Sequence, residues 1–138
     1  MATNPQAPDE MSRQSVQHTA ITSLGFIGAR IQDKDNQVLF YLLKMTKDPN
    51  PRTRVVAVQA VARMAGRGAI PAMLEMARQE KDNTALLFEV SAIYKAGGAQ
   101  AVEALQLLQK QAQDDKNAYL LELSEEALLR LQRERRTG

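Results

Sequence analysis

A block of small and apolar residues returns in this chain after about 32 residues, and no other feature restricts the fold so tightly. Gln59, Ala60 and Val61, running on to Ala65 and Gly66, align with Ser91, Ala92 and Ile93, running on to Gly97 and Gly98. At the same shift Ala69, Ile70, Ala72 and Met73 overlay Ala101, Val102, Ala104 and Leu105, and Met76 overlays Leu108. Pro71 falls on Glu103, but small and large apolar positions are otherwise kept together, which is what a repeated packing unit requires. A unit this short cannot bury its own apolar face and must stack on copies of itself.

Apolar spacing within and around the repeat is helical, and nothing reads as a strand. It predicts helices near 10–29, 36–47, 51–65, 69–80, 84–96, 99–113 and 117–135. Asn36 and Asn50 stand as N-caps, and Pro51 takes a first helical position where a missing N–H costs nothing. Gly66 and Gly68, Gly97 and Gly98, and Asp114 and Asp115 interrupt the later segments. Aromatic residues are only 4% of the chain and Trp and Cys are absent, so the core must come from Leu, Val, Ile, Met and Ala. Helices joined this closely pack antiparallel. The 138 residues suffice for one such domain over 10–138, preceded at 1–9 by a polar lead-in with two prolines that is expected to be disordered. No signal peptide and no membrane span are visible, which fits a cytoplasmic protein.

Asp48, Pro49, Asn50, Pro51, Arg52, Thr53 and Arg54, followed by an Ala-rich helix to Met64, resemble the HEAT-repeat family, in particular the short repeats of bilin-lyase-type proteins. The stretch from Ala20 through Leu24 and Gly25 to Gly28 is similar to the end of the same helix. The resemblance implies an all-α fold, a right-handed α-α superhelix (solenoid) of about three hairpins. It also implies that Asp48 and Arg54 pair in a ladder between repeats. The helix after the Asp-Pro turn would be the inner one, placing 51–65, 84–96 and 117–135 on the concave face, with 10–29 beginning that row. Later copies depart from the pattern, with Phe88 and Leu121 where the Arg would stand.

Candidates for chemistry fall away one by one. His18 is the only histidine, too few for a metal site, and no cofactor motif is present. Ser91 and Ser124 have no His close in sequence. The neighbouring acids Glu125 and Glu126 diverge by about 100° on a helix. Met45, Met64, Met73 and Met76 have core spacing and read as gap-fillers. The tail arginines Arg130, Arg133, Arg135 and Arg136 suit the negative end of a helix dipole, a nucleic-acid or acidic-lipid contact being the other reading. Leucines from Leu120 to Leu131 exceed one packing stripe, which predicts a dimer mate or a longer array at that end.

Subtracting the core leaves an outward strip of Arg52, Val56, Gln59 and Arg63, repeated as Thr84, Phe88, Ser91 and Lys95. An apolar residue flanked by polar and basic ones reads as a recognition strip, although Val56 and Phe88 would serve equally to pack the next helix. The expected function is a non-enzymatic interaction module or adaptor. Its partner would be another protein's helix or acidic segment, met by Arg52, Val56, Gln59, Arg63, Phe88, Ser91 and Lys95. Nucleic-acid binding, as in HEAT-like glycosylases, is the first alternative, opposed by the small net charge of +2 and the lack of Trp. A lyase or chaperone role toward a tetrapyrrole-carrying protein, suggested by the resemblance alone, is the second.

Overall fold

The computed structural model describes residues 13–24 and 37–137, and no strand occurs among them. Helix α1 spans 13–24, α2 Gln37–Met45, α3 Pro51–Ala65, α4 Ile70–Gln79, α5 Asn83–Ala96, α6 Gly98–Asp114 and α7 Ala118–Thr137, with a 3-10 turn at Gly66–Ala69 between α3 and α4. The expected lead-in at 1–9, the cap at Asn36 and the repeat end from Gly25 to Gly28 lie outside the described residues.

The boundaries follow from local chemistry. Asn50 accepts a hydrogen bond from the Arg52 N–H and Pro51 opens α3. Asp82 caps α5 by accepting from the Ala85 N–H. In the next repeat the cap is Asn117, which accepts from the Leu120 N–H. Gly98 adopts φ +82° and the guanidinium of Arg67 lies 3.0 Å from where its Cβ would be. The positive φ strains any side chain there, and one would also require the Arg67 guanidinium to shift by a few tenths of an ångström. Arg67 Nε donates to the Ala96 carbonyl, joining the turn after α3 to the end of α5.

The helices pack in two layers. One row runs α3, α5, α7, each touching the next, and the other contains α4 against α6. His18 extends the first row to α1: its Nε2 shares a hydrogen bond with the buried Thr53 hydroxyl at 2.8 Å. Between the layers Val58, Val61, Met73, Ile93, Leu105 and Leu108 are almost wholly buried. Met45, Met64 and Met76 pack against this core as gap-fillers. The leucines of α7 are largely absorbed too. Leu120 and Leu131 are buried, Leu121, Leu123 and Leu128 pack on the core, and Leu129 remains 52% exposed. Helix α7 touches both α5 and α6, so it needs more than one apolar stripe, and the leucine surplus does not require a dimer mate.

The expected Asp48–Arg54 pair is not what forms. Arg54 Nε and Nη2 donate in parallel to the two oxygens of Glu80 at 2.9 and 2.6 Å. Its Nη1 donates to the backbone carbonyls of Asp48 and Pro49. The Asp48 carboxylate turns instead to the Asn50 N–H, at 2.9 Å, where a short Asp side chain closes its own turn. Glu80, at the end of α4, has the longer reach and is only 2% exposed. Removing Arg54 would strand that carboxylate. Arg54→Ala is therefore expected to cost about 2–4 kcal/mol of unfolding free energy, and Asp48→Asn less than about 1 kcal/mol. Urea denaturation of the two variants checks the pairing; equal losses would return Asp48 to the role of partner.

Candidate functional site

The solvent face of the α3–α5 row holds the strip expected from the sequence. Arg52, Gln59 and Arg63 on α3 and Thr84, Phe88 and Lys95 on α5 are exposed. Because α3 touches α5 directly, the two repeat-equivalent sets lie side by side. Two members differ from the expectation. Val56 is half-buried and packs against the core, and Ser91 is half-buried in a hollow toward α7. Leu87, outside the expected strip, is 41% exposed beside Phe88 at 38%. The signal for it was the run Leu86, Leu87, Phe88: successive helical residues point about 100° apart, so all three cannot face inward.

The hollow between α5 and α7 measures about 130 Å³ and is lined by Leu87, Val90, Ser91, Tyr94, Leu123 and Ala127, among others. It is far below the size of a cofactor site and close to that of one bulky side chain. Its far rim carries the Arg130–Glu126 pair, at 2.9 Å and well exposed. The Tyr94 hydroxyl donates to Glu134 alongside.

Charge is sorted along the same face. Helix α3 contains no acid, α1 over 13–24 contains none, and the single acid of α5 is Glu89, which is 0% exposed. The solvent face of α3 and α5 therefore presents Arg52, Arg63 and Lys95, and none of the three helices has an exposed carboxylate among the described residues. Along this row acids reappear on α7, where Glu122, Glu125, Glu126 and Glu134 are accompanied by an equal number of arginines.

One cluster of titratable groups lies inside the fold rather than on this face. Burial works against ionisation of Glu80, but the bonds from Arg54 and from the Asp82 N–H override it and hold the carboxyl down at about 2. The hydrogen bond to Glu80 in turn raises Arg54. Burial pushes the neighbouring Glu89 carboxyl up to about 9, and the charge of Glu80 adds to the effect. Neither oxygen of Glu89 has a hydrogen-bond partner among the described residues. Two carboxyls driven apart can signal acid–base chemistry. Here Glu89 is sealed from solvent and Glu80 is occupied by Arg54, so the cluster reads as structural. Sequence spacing gave no hint of it, because Glu80 lies 26 residues from Arg54 and Glu89 stands at a core position. No group of His, Cys, Asp and Glu among the described residues could hold a metal ion, and no described helix is long and apolar enough to cross a membrane.

The family model for HEAT repeats matches residues 9–89, more than half of the 138-residue chain. The chain belongs to the HEAT-repeat family. The same two-layer packing continues beyond the matched segment through α6 and α7. No curated protein and no solved structure matches the chain. HEAT repeats generally mediate protein–protein interaction and are typically non-enzymatic.

The buried cluster sets a pH dependence. In the unfolded chain both carboxyls return to about 4.5. Glu80, depressed in the fold, adds stability as pH rises from about 2 to about 4.5. Glu89, raised in the fold, removes stability as pH rises from about 4.5 to about 9. The second slope approaches about 1.4 kcal/mol per pH unit for one proton. Urea midpoints are expected to fall across that upper range, and Glu89→Gln, which stays neutral, should flatten the fall. An unchanged slope in that variant would locate the titrating group elsewhere.

Proposed function

We propose that this protein is a binding module whose α1–α3–α5 face captures an acidic segment of another protein. The observation that carries the reading is the charge sorting: α3 and α5 show basic groups, and none of the helices α1, α3 and α5 exposes an acid among the described residues. An acidic partner meets no like charge there, and like charge across an interface costs several kcal/mol. Phe88 and Leu87 supply apolar area at the centre of the strip, and the hollow beside them suits a single apolar side chain of the partner. Arg52, Arg63 and Lys95 supply the charge, with Gln59 and Ser91 between them as polar contacts. In a HEAT solenoid this row is the concave one, which brings its side chains toward a common ligand.

Nucleic-acid binding draws on the same cations. Those few arginines and lysines fall short of the row of phosphate contacts that binding to a duplex uses, and the exposed aliphatic Leu87 favours a protein surface. Assembly with a tetrapyrrole-carrying protein would be a special case of partner binding, and the hollow is too small for the pigment itself.

Arg63→Glu together with Lys95→Glu is expected to weaken capture of an acidic partner peptide at least tenfold, at nearly unchanged stability. Phe88→Ala should weaken the same complex while leaving its salt dependence intact. Lys110→Glu, at an exposed position of α6 in the other layer, is the control; Arg78 is unsuited because it exchanges hydrogen bonds with Gln111. Fluorescence anisotropy reads all three. Loss of binding in the control alone would move the site to the other layer. Displacement by duplex DNA of mixed sequence, with a steep salt slope, would replace the protein partner with nucleic acid.

A further inference from the structure

We propose that the partner's segment crosses the C-terminal ends of α3, α5 and α7 as an extended, acidic stretch of about six residues, with one bulky apolar residue seated between α5 and α7. This register rests on the acidic-partner reading above and adds to it the length and pattern of the segment, and the use of α7.

Alternate helices of a stack of hairpins run parallel, so α3, α5 and α7 end on one edge. Two bonds join those ends: Arg67 Nε donates to the Ala96 carbonyl, and the Tyr94 hydroxyl donates to Glu134. Six exposed cations follow the edge, with Arg63 and Arg67 at the end of α3, Lys95 on α5, and Arg130, Arg133 and Arg135 on α7. Over 59–68, 90–96 and 130–137 the acid is Glu134 alone. Glu126, a turn further in, pairs with Arg130. Both are well exposed, so the pair is weak and Arg130 can exchange it for a ligand's carboxylate. In the other layer Glu75 lines the opening between α2 and α4. Glu103 stands opposite the buried Ala101, Leu105 and Leu108 of α6, so both acids face away from the row.

Charge selects an anionic ligand, and shape selects a polypeptide among such ligands. Tyr94 and Arg130 belong to this edge and also line the hollow of about 130 Å³ whose apolar walls are Leu87, Val90, Leu123 and Ala127. A ligand lying on the edge can therefore lower one bulky apolar side chain between α5 and α7. A nucleic acid has no such side chain, and the hollow is too small for an acyl chain. Packed helices stand about 8–10 Å apart, so the cations from α3 to α7 span about 16–20 Å, which an extended chain at about 3.3 Å per residue crosses in about six residues. Because the hollow lies between α5 and α7, the apolar residue falls off-centre, nearer the end of the segment that meets α7.

Labelled oligoglutamates of increasing length, with and without a single leucine moved along the chain, test this by fluorescence anisotropy with the full-length protein. Affinity should climb with length to about six residues and then level. At one off-centre place leucine should bind at least tenfold tighter than alanine at the same place. Ser91→Leu, in the lining of the hollow, should cancel that gain and leave the leucine-free peptides unchanged. Arg133→Gln with Arg135→Gln, outside the α3–α5 strip, should weaken every peptide at least tenfold, and Arg133→Lys with Arg135→Lys, which keeps the charge, should bind as the wild type does. Affinity independent of length, indifference to the place of the leucine, or wild-type binding by the glutamine variant would overturn the register and leave capture by α3 and α5 standing. Failure of every acidic peptide to bind would remove both. Tighter binding of single-stranded DNA of equal charge, or of phosphatidylserine vesicles, would overturn the choice of a polypeptide.

Discussion

One guanidinium ties successive repeats together. Arg54 gives two hydrogen bonds to Glu80 and two to the carbonyls of the turn before its own helix. Glu80 in turn accepts from the N–H groups of Lys81 and Asp82, and Asp82 caps α5. The start of α3, the end of α4 and the start of α5 thus converge on a single ion pair. A charge near the apolar interior must be paired, and the bidentate geometry allows one arrangement of the two partners. The relative height of neighbouring hairpins follows from it, and with it the alignment of the strip on α3 and α5.

The same junction holds a group that works against it. Glu89 lies fully buried on α5 without a hydrogen-bond partner among the described residues, close enough to Glu80 for the two to influence each other's proton. It stays neutral at ordinary pH, so the junction carries one negative carboxylate rather than two. The repeat-equivalent position on α3 is Ala57, also fully buried, which shows that the packing itself does not demand a polar residue there.

Much of this was legible in the residues and some was not. Helix positions were set by strong local chemistry: the Asn50 cap, Pro51, and the glycines at 66, 97 and 98 with positive φ. The outward positions of Arg52, Gln59, Arg63, Phe88 and Lys95 followed from helical period alone. Partner choice did not. Asp48 and Glu80 are both acids near the ends of helices, and only the folded chain shows that Asp48 closes its own turn while Glu80 reaches Arg54. Nor did the core position of Glu89 announce itself, since burial of a neutral carboxyl leaves no pattern in sequence. The opening between α2 and α4 depends on how two separate hairpins settle, which no local spacing encodes.

The separation of charge across the row has a consequence for motion before contact. Net charge is only +2, so an approaching macromolecule feels little monopole attraction. Yet α1, α3 and α5 expose cations alone while α7 balances four glutamates with four arginines, so the positive charge sits off-centre and gives the fold an electric dipole. A dipole exerts a torque: in the field of an acidic surface the molecule turns its α1–α3–α5 side forward while still separated by solvent. Orientation is thereby settled during diffusion, and a larger share of encounters begins in a productive pose.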